Sequence, residues 1–182
     1  TMVIGGIVNK FQSNTISGSG NIIVVEADEF DRSFLTLQPT MGLITNLDLE
    51  HLDCYENLED LQMAFTQFAN AVPFYGKVGV CIDNINATSI ISNIKRPVVT
   101  FGIHEDAEIK ASCLRFEDNH SKFKLSVYGK TQGELTVHVP GEYNVKNALG
   151  SIVLALELEI PFEKIQLGLD QYTGVRRRFD IK

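Results

Sequence analysis

The side chains that could do chemistry gather in a few short stretches. Residues 24–34 read Val-Val-Glu-Ala-Asp-Glu-Phe-Asp-Arg-Ser-Phe, setting Glu26, Asp28, Glu29 and Asp31 directly behind an apolar run. Residues 45–53 read Thr-Asn-Leu-Asp-Leu-Glu-His-Leu-Asp, with His51 among Asp48, Glu50 and Asp53. In an open parallel sheet, ligands sit outside the carboxyl ends of the strands. Glu26 and His51 could therefore converge on a divalent cation and the phosphates it carries. The plainer readings are a solvated loop carboxylate for Glu26 and a surface or satisfied core histidine for His51. The company of each favours the cation, because Asp28, Glu29 and Asp31 repel one another unless a positive charge balances them. His51-Leu52-Asp53-Cys54 could be half of a zinc site, but no second Cys or His pair completes a tetrahedral set.

A third stretch, Gly141-Glu142-Tyr143-Asn144-Val145-Lys146-Asn147-Ala148, puts Asn144 and Asn147 on one face of a helix near its start. Asn144 as an N-cap needs no ligand. Asn147, one turn further in, is not explained by capping, since Asn is a mediocre helix former. A carboxamide can donate to and accept from an adenine edge, and Tyr143 could stack on the base. A fourth stretch, Arg176-Arg177-Arg178, follows a helix. It reads either as a basic helix end and solvated linker or as a set of phosphate contacts.

These residues must be held by regular elements. Ile22–Val25 is a continuous apolar, β-branched run, the pattern of a strand buried on both faces, and residues 41–45 form a second. Residues 13–21 read as a loop. Apolar residues at helical spacing predict a helix over 57–72, closed by Pro73. A strand at 78–82, a short helix at 87–94 and a strand at 98–101 follow. Strands alternating with helices argue for a parallel α/β sheet. Residues 108–116, 122–128 and 134–139 then alternate in polarity between turn-forming stretches, the last of these turns at 129–133, which predicts an antiparallel meander. Helical periodicity returns over 144–158 and 161–172, with Pro161 suited to a first helical turn.

The chain has 182 residues, 44% hydrophobic and 21% charged, enough for one sizeable core. A formal charge of −7 with a single dense basic cluster argues against a nucleic-acid surface. No apolar run is long enough to span a bilayer. The three cysteines lie far apart without a C-x-x-C pair, which favours reduced thiols in a cytoplasmic protein.

Taken together and in this order, the segments resemble the central, ATP-binding domain of the Mur ligases, nearest to the alanine-adding branch. The resemblance rests on residues 25–35 with Leu37-Gln38-Pro39, on Thr45-Asn46 and Glu50-His51-Leu52-Asp53, and on Phe74-Tyr75-Gly76. Gly141, Asn144, Asn147-Ala148, Gly174 and Arg177-Arg178-Phe179-Asp180 complete it. It covers essentially the whole chain. It implies a mostly parallel α/β sheet flanked by helices, P-loop NTPase-like, spanning 1–182, with a small three-stranded antiparallel lobe over 106–140.

The activity implied is an amide-forming ligase of bacterial peptidoglycan precursor synthesis. ATP phosphorylates the carboxylate of UDP-N-acetylmuramate, and the amine of L-alanine displaces phosphate from the acyl phosphate. By resemblance, Glu26 and His51 hold Mg²⁺, Asn144 and Asn147 read adenine beside Tyr143, and Arg177 or Arg178 contacts a terminal phosphate. Histidine is an unusual partner for Mg²⁺, so a weak second site better suited to Mn²⁺ is implied.

Two departures stand out. Tyr143 occupies a position where the family commonly has His. No G-x-G-K-[ST]-T phosphate loop occurs; the family carries it just upstream of the segment matching residues 1–10. The expectation is an incomplete central domain, inactive in isolation and reliant on N- and C-terminal domains of the same chain. The rival readings are a tripeptide-adding recycling ligase of the same family and a binding module that lost its phosphate loop.

Overall fold

Two sheets organise the protein, and the computed structural model describes residues 1–49, 53–104 and 106–174 of it. The smaller sheet has the order β2-β1-β3, from β1 (Met2–Val8), β2 (Ser13–Ile16) and β3 (Val24–Val25). The larger runs in chain order through β4 (Met41–Ile44), β5 (Lys77–Cys81), β6 (Val98–Gly102), β7 (Ile109–Glu117), β8 (His120–Val127) and β9 (Lys130–Val137). β4 to β7 pair parallel, and β7 to β9 pair antiparallel. The meander is thus hydrogen-bonded into the parallel strands through Phe101↔Ile109 and prolongs their sheet.

Helices cover both faces. Leu61, Ala64 and Phe68 of α1 (Leu58–Ala71) recur at helical spacing and pack with Val78 and Val80 of β5. α3 (Glu142–Glu157) lays Val145, Leu149, Ile152 and Val153 against Phe101 and the meander residues Phe123 and Leu125 on the other face. It comes close because of Gly150, where a Cβ would meet Leu43 Cδ2 at 2.8 Å. α2 (Ile85–Ser89) and α4 (Phe162–Asp170) are shorter. Asn57 caps α1 by accepting from Asp60 N at 3.0 Å, as its residue type favours. Among the described residues no helix is long and apolar enough to cross a membrane.

The structure corrects several expectations. Residues 13–16 are not loop: β2 folds back on β1 as a hairpin, with Met2↔Ile16 and Val8↔Ser13 in register. Ile22–Val25 is not a doubly buried strand. Only Val24–Val25 is extended in a ladder, on the edge of the small sheet, and Ile23 is 63% and Val24 50% exposed. Apolar continuity reports a preference for burial, which these side chains satisfy only in part. The helix expected at 87–94 starts earlier, capped by Asn84, and ends in a 3-10 turn at Ile91–Asn93. The turn expected at 129–133 is shorter. Tyr128 and Gly129 alone make it, both with positive φ (47° and 76°), as a two-residue hairpin loop demands. Gly133 lies instead beside an irregularity in the β8–β9 ladder. Pro161 precedes α4 as its cap rather than forming its first turn.

Candidate functional site

Residues after β3 and after β4 line one cavity of about 130 Å³, with Ala27 and Glu29 from the first and Thr45, Asn46 and Asp48 from the second. Phe34, Phe65 and Phe68 give it an apolar side. Asp48 is fixed at both oxygens: Oδ2 accepts from Asn46 Nδ2 and Oδ1 from Asn84 Nδ2, each at 3.0 Å. Thr45 Oγ1 donates to Asn46 Oδ1 at 3.1 Å.

Glu26 is exposed and does not line that cavity. Its N–H donates to Val3 O at 2.9 Å, carrying the β1–β3 pairing one residue on, and its Oε2 accepts from Gly5 N at 2.7 Å. The nearby acids have local employment. Asp28 Oδ1 accepts from Phe30 N at 2.9 Å, and Asp31 Oδ1 from Ser33 N at 3.0 Å. Each caps its own turn, the usual habit of Asp in loops. A cation is therefore not the only thing that organises this segment. His51 lies outside the described residues.

A further set of contacts, which the sequence reading missed, ties the first loop to residues 54–60. Arg32 Nε and Nη2 donate to Cys54 O at 3.1 and 2.9 Å, and Nη2 also pairs with Asp60 of α1. The guanidinium lies 4.7 Å from the Tyr55 ring centre, and Tyr55 Oη donates to Glu29 O at 2.7 Å. The hydrogen bond from Arg32 holds Asp60 below the usual carboxylate range, and burial raises the Tyr55 phenol. Nothing in one-dimensional spacing links Arg32 to Tyr55 or Asp60.

Asn144 and Asn147 both face a groove of about 460 Å³ between α3 and α4, with Ser151 on the same face and Lys164, Leu169 and Tyr172 across from them. Their shared-face spacing was legible. The capping role was not correct: Gly141, at φ 101°, is the cap, and Asn144 Nδ2 donates back to Pro140 O at 2.6 Å. Ser121 fixes this start, donating to Val139 O at 3.1 Å and accepting from Gly141 N at 3.0 Å. Tyr143 does not line the groove and is 72% exposed, with Lys146 Nζ 5.6 Å from its ring centre. Burial pulls the Lys146 ammonium down, but Glu142 at 2.7 Å and Asp83 at 3.9 Å outweigh it and leave it above its ordinary value. Arg177 and Arg178 lie outside the described residues.

The donor chemistry fits Mg²⁺. Among the described residues no group of three His, Cys, Asp or Glu side chains is poised for a metal. Mg²⁺ does not need one, since it is commonly held by a carboxylate or two and by substrate phosphates, keeping several waters. Glu26 offers one such carboxylate, outside the cavity lined by Thr45, Asn46 and Asp48 and already accepting from Gly5 N.

A largely parallel sheet covered by helices is an α/β domain, a class whose ligand sites lie outside the carboxyl ends of the strands. The chain belongs to the Mur ligase family: residues 8–155 match the Mur ligase middle domain. It is 44% identical over 182 residues to the UDP-N-acetylmuramate–L-alanine ligase of Salinibacter ruber, covering all of this chain and 38% of that protein. Identity to the ligase of the same name from Persephonella marina is 46% over 182 residues, covering 39% of it. The crystal structure of UDP-N-acetylmuramate-alanine ligase from Thermotoga maritima matches with TM-score 0.82 at 28% identity, over 97% of this chain and 39% of that one. The chain thus spans less than half the length of the curated relatives it matches.

Proposed function

We propose that this chain is the ATP-binding middle domain of a bacterial cytoplasmic ligase that joins L-alanine to the lactyl carboxylate of UDP-N-acetylmuramate. The observation that carries the reading is the end-to-end match, at 44 and 46% identity, to ligases named for that reaction. The carboxylate attacks the γ-phosphorus of ATP, ADP leaves, and the acyl phosphate forms. The amine of L-alanine then attacks the acyl carbon, phosphate leaves with the bonding pair of the C–O bond, and the nitrogen gives up a proton to form the amide.

Both reactants of the first step are anions, so positioning and charge neutralisation carry the catalysis. Mg²⁺, when bound, supplies that neutralisation, and Glu26 and His51 are its proposed protein ligands. Asn144 and Asn147 offer carboxamides to an adenine edge from one helix face, and the exposed Tyr143 ring offers a stacking plane. Arg177 or Arg178 answers a terminal phosphate.

A graft tests the reading. These 182 residues replace the matched segment of the Persephonella marina ligase, and phosphate release is followed with UDP-N-acetylmuramate and L-alanine. Release that needs both substrates is expected, as is its loss by more than about a hundredfold in Glu26→Gln. A folded graft that releases no phosphate overturns the assignment. The isolated chain has no G-x-G-K-[ST]-T phosphate cradle within its sequence. Weak or undetectable Mg·ATP binding is expected by calorimetry, and micromolar affinity would contradict it.

A further inference from the structure

The geometry points to Arg32 and Tyr55 as positioning residues that set the Glu26–Asp31 loop for metal binding, an inference that rests on the ligase reading above. The backbone gives the first reason. Asp31 and Arg32 are consecutive non-glycine residues with positive φ, 57° and 61°, inside the Phe30–Thr36 segment. Asp tolerates this conformation, but an arginine rarely adopts it unless its surroundings hold it there.

The enforcement is visible. Arg32 spends Nε and Nη2 on Cys54 O and pairs with Asp60. Its guanidinium packs on Tyr55, which is 1% exposed. Tyr55 Oη closes the ring by donating to Glu29 O. Asp60 in turn accepts from Glu56 N at 3.2 Å and is held by the Asn57 cap of α1. The loop that leaves Glu26 is thereby anchored at Glu29 and at Arg32 to the rigid start of a helix.

Each contact has a defined chemistry. Cys54 O sits in a fork that only a guanidinium matches, so lysine cannot replace Arg32 without losing one donor and the stacking plane. Tyr55→Phe removes a single hydrogen bond to the loop backbone while keeping the buried ring. These substitutions touch no proposed ligand of the metal or the nucleotide, and they separate a positioning role from a purely structural one.

The test uses the full-length ligase that carries this chain, with a non-hydrolysable ATP analogue present. Mn²⁺ binding is read by electron paramagnetic resonance, and Tm is measured alongside. Partners that orient metal ligands typically affect metal affinity by an order of magnitude or more. Arg32→Lys and Tyr55→Phe are expected to weaken Mn²⁺ binding by about tenfold. Tyr55→Phe is expected to leave Tm nearly unchanged and the KM for L-alanine unaltered. Glu26→Gln is the control. If Glu26→Gln weakens Mn²⁺ binding and both positioning variants bind Mn²⁺ normally, the positioning role is overturned and the ligase reading stands. If Glu26→Gln itself leaves Mn²⁺ binding intact, the metal assignment fails and this inference falls with it. Lowered Tm with normal Mn²⁺ affinity in both variants shows a structural clamp and also overturns the proposal.

Discussion

The small sheet and the large sheet are built from similar residues and end up in opposite environments. In β5 and β6, Val78, Val80 and Phe101 are wholly buried between helices. In and beside the small sheet, Val3, Ile7, Ile22, Ile23, Val24 and Val25 are all between 37 and 63% exposed. The difference lies in what covers them. α1 and α3 lie on the two faces of the large sheet, whereas the small sheet buries only Val8 of its apolar side chains. The proposed metal ligand Glu26 stands on the poorly covered side, and the groove of Asn144 and Asn147 on the well-packed one. The segment that follows Glu26 is held instead by polar contacts, with Arg32 on Cys54 O and Tyr55 on Glu29 O.

Substitution should expose this contrast most sharply. Phe101→Ala removes a fully buried ring from the larger core and is expected to cost about 3–5 kcal/mol. Ile23→Ala, at a residue 63% exposed, is expected to stay within about 0.5 kcal/mol. Denaturant titrations of both variants measure the gap, and similar losses would mean that the small sheet is as tightly covered as the large one. Hydrogen exchange asks the same question without mutation. Amides of β5 and β6 should exchange only through global opening, whereas those of Val24 and Val25 should exchange through local opening with much lower protection. Equal protection would dissolve the distinction between the two regions.

The same contrast governs how much could be read from the sequence. Where periodicity meets a complete set of neighbours, the reading and the structure agree: β4, α1, β5, β6 and α3 lie where their patterns put them, within a residue or two. The shared face of Asn144 and Asn147 was legible because helical spacing is local geometry. Ile22–Val25 misled because composition reports what a segment would bury, not whether a partner is there. Asn144 misled because a glycine with positive φ, three residues earlier, took the cap. Arg32, Tyr55 and Asp60 were illegible for another reason. Their contacts join residues 22 to 28 positions apart through a backbone conformation that no propensity predicts.

The smallest expected effects are electrostatic, and the two regions should show them at opposite ends of the pH scale. In the first, Asp60 is held below its ordinary pKa by the hydrogen bond from Arg32. A carboxyl depressed on folding adds stability above its unfolded pKa, and that contribution is lost as pH falls through the folded value. Asp60→Asn should therefore lose less Tm than the parent protein between about pH 5 and about pH 2. In the second region, Glu157 accepts from Lys77 Nζ at 2.7 Å and holds the ammonium above its ordinary pKa. A lysine raised on folding adds stability that is complete below its unfolded pKa and is lost as pH climbs through the folded one. Both side chains are partly solvated, so the pair should contribute no more than about 1 kcal/mol. Lys77→Met should be less stable than the parent by up to that amount at neutral pH, with the difference shrinking above about pH 10.4. A Lys77→Met deficit that persists unchanged through that range would show that the ammonium charge of Lys77 is not its source.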